Sequence, residues 1–173
     1  DSAGLAVIAD GEIARVRSVG RVAELEKAAA ELSASVGISH TRWATHGVPS
    51  ERNAHPHVSG KIAVVHNGII ENHEALRQEL SAQGYVFTSD TDTESIAHLI
   101  EFILRTEPDL FAAVQQACQR LIGAYAIGVI DLDFPERVIV AREGSPLLLG
   151  VSDAGNYAAS DASALLQVTR NMI

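Results

Sequence analysis

Apolar residues recur at helical spacing through the middle of this chain and at every second position near its start, and that change of period restricts the fold more than any other feature. Ile96, Leu99, Ile100 and Ile103 follow the 3, 4, 7 spacing of one helical face. After Pro108 a second stripe runs through Leu110, Phe111, Val114, Ala117, Cys118 and Leu121. Earlier, Ile13, Arg15 and Arg17 alternate with Ala14, Val16 and Ser18, and an Asp10-Gly11 turn joins that run to a strand over 5–9, so the two read as a hairpin. Residues 21–32 place Val22, Leu25 and Ala29 on one face and predict a surface helix. Residues 62–66 read as a short buried strand, and Asn72 is expected to cap a helix ending near Gln83, with Leu76 and Leu80 inward and Gly84 as its stop. Residues 85–88 read as a further strand and Thr91-x-x-Glu94 as a capping box. Strands return at 124–132, 137–141, 147–151 and 157–160, followed by a short helix opened by Asp161. Strands at both ends and helices between, without strict β-α alternation, predict a layered α+β domain of mainly antiparallel sheets, and 173 residues suit one domain over 1–173.

The densest polar stretch is Ser39-His40-Thr41-Arg42-Trp43-Ala44-Thr45-His46-Gly47, answered downstream by His66-Asn67-Gly68 and by Ser89-Asp90-Thr91-Asp92-Thr93-Glu94. So many donors and acceptors in nine residues make poor core. A strand that hands over to a loop here would present them for binding. The planar fork of Arg42 fits a carboxylate bidentately, and Asp92 can accept from an ammonium, so the two together would grip an α-amino-acid head group if they converge in space. The alternative is that Arg42 pairs with an internal Asp and Trp43 belongs to the core. Residues 47–61, with two Pro and little periodicity, read as a long functional loop.

Several function classes fit poorly. The net charge of −9 and scattered cations argue against a nucleic-acid partner. No apolar run is long enough for a bilayer, and a soluble cytoplasmic protein is expected. Cys118, the single cysteine, sits on an apolar helical stripe and is read as core, not nucleophile. The seven His lack a zinc-type pair such as HExxH, and Asp90-x-Asp92-x-Glu94 carries Ser95 where a calcium loop needs Gly, so no metal and no cofactor are expected.

The motifs HTRWATHG at 40–47, Pro49-Ser50-Glu51, Asn53-Ala54-His55-Pro56-His57, VVHNGIIEN at 64–72 and SDTDTE at 89–94 resemble the glutaminase domains of glucosamine-6-phosphate synthases, the glutamine:fructose-6-phosphate aminotransferases. The opening DSAGLA and the late Gly144-Ser145-Pro146-Leu147 fit the same family, so the resemblance covers essentially the whole chain. It implies a four-layer α-β-β-α sandwich of the N-terminal nucleophile hydrolase type. It implies that Arg42 holds the α-carboxylate of glutamine and Asp92 its α-ammonium, that Trp43, Thr45 and His46 shape the loop over it, and that His55 lies near the pocket. Asn67 and Gly68 would form the oxyanion hole. The family's nucleophile is an N-terminal Cys with its own α-amine as base, carried on a first strand and helix ahead of the DSAGLA segment; neither is written here. The chain is therefore expected to be inactive by itself, with an exposed sheet edge. The expected partners are glutamine or glutamate, the sugar-phosphate isomerase domain of the same polypeptide and, in a homo-oligomer, a second copy. Another amidotransferase of the class, or a non-catalytic ligand-binding or interaction module, remains as an alternative.

Overall fold

A computed structural model describes residues 2–20, 22–42 and 50–173. Strand β1 (Ser2–Ala9) pairs antiparallel with β2 (Glu12–Val19) and with β3 (Gly37–Arg42), giving a three-stranded sheet in the order β2-β1-β3. The expected two-residue turn joins β1 to β2, with Asp10 and Gly11 at φ of 52° and 78°, a twist that matches the strands it connects. A second antiparallel sheet runs β4-β5-β6-β7, built from β4 (His57–Ser59), β5 (Ile62–Ile70), β6 (Gly123–Asp131) and β7 (Ile139–Glu143). Strands β8 (Leu148–Ser152) and β9 (Gly155–Ala159) form a separate hairpin. The helices are α1 (Val22–Ala28), α2 (His73–Ala82), α3 (Thr93–Leu104), α4 (Leu110–Cys118) and α5 (Ala162–Leu165).

The period of two on β5 explains the layering. Ile62 and Val64 face a core shared with Ile96, Leu99 and Ile100 of α3 and with Leu110 and Val114 of α4. The intervening Ala63 meets Ala6, Ile38 and Ile130 in a smaller cluster between the two sheets, flanked by Val65. With α3 packed on β4 and β5, β3 packed on β5 and β6, and α1 on β1 and β2, the order is helices, sheet, sheet, helix, the expected α-β-β-α arrangement. Ile96, Leu99 and Ile100 are fully buried. At about 2 kcal/mol for each such side chain, that stripe fixes α3, and with it the segment that leads into its N-terminus.

Several local expectations are corrected. Residues 47–61 are not loop throughout: within the described part, Glu51–Asn53 form a 3-10 turn and His57–Ser59 the edge strand β4. Among the described residues, 85–88 pair with no strand, because their side chains are taken up by helices: the Tyr85 hydroxyl bonds Glu101 of α3, and Phe87 lies under Arg77 of α2. Asn72 precedes α2 but its side chain does not cap it; Nδ2 donates to Arg120 O at 2.9 Å and Oδ1 accepts from Ile122 N at 3.0 Å, tying α2 to the approach of β6. The residue at the N-cap of α3 is Asp92, and Glu94 reaches back to residues 88 and 89 instead of closing a capping box with Thr91. Phe111 is exposed, and the first helix is shorter than expected and buries only Leu25. Asn67 and Gly68 lie inside β5, which continues past His66 to Ile70.

Candidate active site

Three stretches distant in sequence meet at one cavity of about 570 Å³. The end of β3 contributes His40, Thr41 and Arg42; β5 contributes His66, Asn67, Gly68 and Ile69; the turn into α3 contributes Asp90, Thr91, Asp92 and Thr93. His55, His73 and Ser160 complete the wall. Of the residues singled out in the sequence, Arg42, His55, Asn67, Gly68 and Asp92 share this cavity, while Trp43, Thr45 and His46 lie outside the described residues. Cys118 does not line it.

The strands put the charged groups in place. Arg42 ends β3 opposite Ser2 of β1. Asp92 stands at the start of α3, where its Oδ2 accepts from the Ile70 amide at 2.8 Å and Oδ1 faces the Thr93 hydroxyl at 3.4 Å. His66 Nδ1 approaches Asp92 Oδ1 to 3.8 Å, and burial pulls the His66 pKa down to about 4. A carboxylate so placed suits a cationic ligand group.

Gly68 sits at φ +127°, and a Cβ built there would lie 2.0 Å from the Ala124 carbonyl oxygen across the β5-β6 ladder. The neighbouring Asn67 offers its side-chain Oδ1 to His40 Nε2 at 2.7 Å. An Asn amide and a Gly backbone amide in succession, on a strand that lines a cavity, can supply a pair of hydrogen-bond donors to one oxygen.

The segment that carries His55 is clamped from two sides. On one side, Arg17 donates to Ala54 O at 3.2 Å and to Arg52 O at 3.3 Å, and Arg15 donates to Pro56 O at 3.4 Å. Gly4 of β1 is needed beneath it, since a Cβ there would stand 2.0 Å from His55 O. On the other side, Arg52 pairs with Asp90, and Asn53 Oδ1 accepts from the Asp90 amide at 3.0 Å. His55 is 5% exposed, with Nδ1 accepting from the His66 amide at 3.4 Å and Nε2 at 3.1 Å from Thr93 Oγ1. Both of its ring nitrogens are thus occupied by protein, and its contribution to the cavity is to hold β5 and α3 together.

Glu94 does similar work on the turn before α3. Its carboxylate accepts from the amides of Thr88 and Ser89 at 2.8 and 2.7 Å and from both hydroxyls at 2.9 and 2.7 Å. Burial opposes its charge, but hydrogen bonds from His98, Ser89 and the Thr88 amide prevail and hold the carboxyl well below the usual carboxylate range.

His40, His55, His57 and His66 are all held in the neutral form chiefly by desolvation, His57 down to about 3 and His55 well below the ordinary imidazole value. In the unfolded chain they would protonate near pH 6.5. As pH falls below that value the unfolded state takes up protons that the folded state refuses. Stability should then drop by about 1 kcal/mol per pH unit for each such residue until its folded pKa is reached. Urea unfolding at pH 7, 6 and 5 should show this loss, and a flat profile across that range would contradict the neutral cluster.

The sequence by itself assigns no role to His40, His66, Thr93 or Asp90. His40 opens the polar stretch and His66 precedes Asn67, but their partners are set by cross-strand register, which no spacing along the chain reports.

The family profile of the glutamine amidotransferase domain matches residues 40–167. The glutamine--fructose-6-phosphate aminotransferase [isomerizing] of Acidithiobacillus ferridurans is 62% identical over 177 residues, covering all of this chain and 29% of that protein. The protein of the same name from Vibrio cholerae is 55% identical over 176 residues with the same coverage. The chain therefore spans less than a third of the length of these relatives. Among solved structures, glutamine phosphoribosylpyrophosphate amidotransferase from B. subtilis superposes with a TM-score of 0.79 at 28% identity, over 97% of this chain and 38% of that one.

Proposed function

The chain belongs to the glutamine amidotransferase domain family, and from that premise we propose that it is the ammonia-supplying part of a glutamine:fructose-6-phosphate aminotransferase. The observation that carries the reading is the convergence of a guanidinium, a carboxylate and the Asn67-Gly68 pair on one cavity. In this reading Arg42 takes the α-carboxylate of glutamine through its two parallel N–H donors and Asp92 takes the α-ammonium. The side-chain amide then lies along β5. Attack by a thiolate on the amide carbon moves the carbonyl electron pair onto oxygen, and the negative charge is met by the Asn67 side-chain N–H and the Gly68 backbone N–H. Collapse expels the nitrogen as ammonia and leaves a thioester for water to cleave. Cys118, half-buried on α4, does not line the cavity and in this reading is not that thiol.

The acceptor is assigned by the names of the relatives alone, of whose length this chain spans 29%; in this reading the fructose 6-phosphate chemistry belongs to the remainder. The sugar-phosphate isomerase domain is in this reading the partner that receives the ammonia.

The grip on both ends of the head group is tested by ligand analogues. In calorimetric titration L-glutamate should bind at least tenfold more tightly than glutarate, which lacks the ammonium, and than 4-aminobutyrate, which lacks the α-carboxylate, because each deletion leaves one charged wall of the cavity without its partner. Equal affinity for all three would remove Arg42 and Asp92 from the proposed roles.

A further inference from the structure

Asn67 can serve an oxyanion only if its amide faces the right way. Turned over, it would present Oδ1, a lone pair, to a developing negative charge. The terminal torsion of Asn is broad and two-fold, so the side chain alone does not choose. We propose that His40 is the positioning residue that makes the choice: its Nε2–H donates to Asn67 Oδ1 and thereby leaves Nδ2 as the end offered to the carbonyl oxygen of the bound glutamine. This rests on the reading of the cavity given under Proposed function.

Four observations support it. The contact is short, 2.7 Å, and Asn67 Nδ2 has no partner among the described residues. His40 Nδ1 is buried and likewise without a partner among them. If the Asn67 amide were reversed, His40 Nε2 would have to accept and Nδ1 would carry a buried hydrogen with no acceptor in hydrogen-bond geometry among the described residues. The Nε2–H form strands only a lone pair, the milder fault. Third, the ring is held from its other face: His40 and His55 stack with centroids 4.2 Å apart at 33°. Fourth, His55 is itself fixed against Gly4, the residue directly opposite His40 in the β1-β3 ladder. Support therefore passes from Gly4 through His55 and His40 to Asn67, and no member of that series before Asn67 needs to touch the ligand.

The test uses the full-length polypeptide that carries this sequence and reads steady-state glutaminase activity. His40→Gln and His40→Met are close in shape, but only the first retains an N–H donor. His40→Met should lower kcat by about tenfold with KM changed less than about threefold, since the donor pair acts on the transition state. His40→Gln should recover most of that loss. Asn67→Ala should lower kcat by about a hundredfold, and adding His40→Met to it should cost nothing further. A His40→Met penalty that persists at full size in the Asn67→Ala background would overturn the proposal, because His40 would then act elsewhere. Wild-type kcat in a folded His40→Met variant, beside the expected loss in Asn67→Ala, would sink the His40 inference and leave the cavity reading standing. An unchanged Asn67→Ala would sink both. One measurement needs no substitution: imidazole ¹⁵N shifts should place the His40 proton on Nε2, and a proton on Nδ1 would refute the assignment.

Discussion

Replacing Arg42 with Ala should weaken L-glutamate binding by a factor on the order of a hundred or more, about 3 kcal/mol. Arg42 closes β3 at the cavity wall, on a strand whose ladder to β1 fixes where its side chain begins. A ligand carboxylate that enters gives up water and receives two charge-assisted hydrogen bonds in return. Truncation removes those bonds and leaves the anion in a partly desolvated site that also holds the carboxylate of Asp92. Arg42→Lys keeps the charge and loses the planar fork, so it should fall between the two. Calorimetry on variants whose circular dichroism matches the parent would read the effect, and unchanged affinity in a folded Arg42→Ala protein would falsify the carboxylate role.

Gly68→Ala should be the most damaging single methyl addition on β5. At φ +127° an L side chain is strained, and the new Cβ would stand 2.0 Å from Ala124 O and 2.9 Å from both Ala124 C and Tyr125 Cα. These are backbone atoms of the paired strand, so relief requires the β5-β6 ladder to part where Gly68 opposes Tyr125. We expect a loss of about 3 kcal/mol or more in unfolding free energy, and loss of turnover with it. Gly84→Ala supplies the comparison. Gly84 also has positive φ, +92°, but nothing lies within 4 Å of its would-be Cβ, so only the backbone term of about 1 kcal/mol should appear. If the two variants unfold at the same denaturant concentration, the close approach of β6 is not what demands a glycine at 68.

The sequence showed the fold wherever a pattern was local. The β1-β2 hairpin could be read because the Asp10-Gly11 turn and the alternation on β2 are features of adjacent residues. The stripe of α3 could be read because its period is carried within twelve residues. Misreadings came where distant partners decide. A strand over 85–88 fits composition, yet Tyr85 and Phe87 found better contacts on helices α2 and α3. Glu94 stands at capping-box spacing from Thr91, yet four donors at residues 88 and 89 claim it. β4 escaped notice because a strand of three residues, His57–Ser59, has no period of its own and exists through its ladder to β5.

At the cavity, the chemistry of Arg42 and Asp92 suggested a head-group grip, but their meeting was a question of tertiary structure. The roles of Asn67 and Gly68 came through resemblance. His40 went unassigned, although it stands two residues before Arg42, because its value depends on facing Asn67 across two sheets.

Asn67 and Gly68 stand within a continuous ladder to β6 and not at a hinge or lid. Their spacing is consequently settled when the sheet assembles, before any ligand arrives, and no backbone freedom remains to be lost there on binding. The Gly68 amide and the backbone that carries the Asn67 side chain cannot drift without dragging a run of paired strand behind them. In the proposed oxyanion role, tolerance for error at the reacting carbon is then a property of sheet rigidity, and a substitution on β6 that never approaches the cavity should surface as slower turnover.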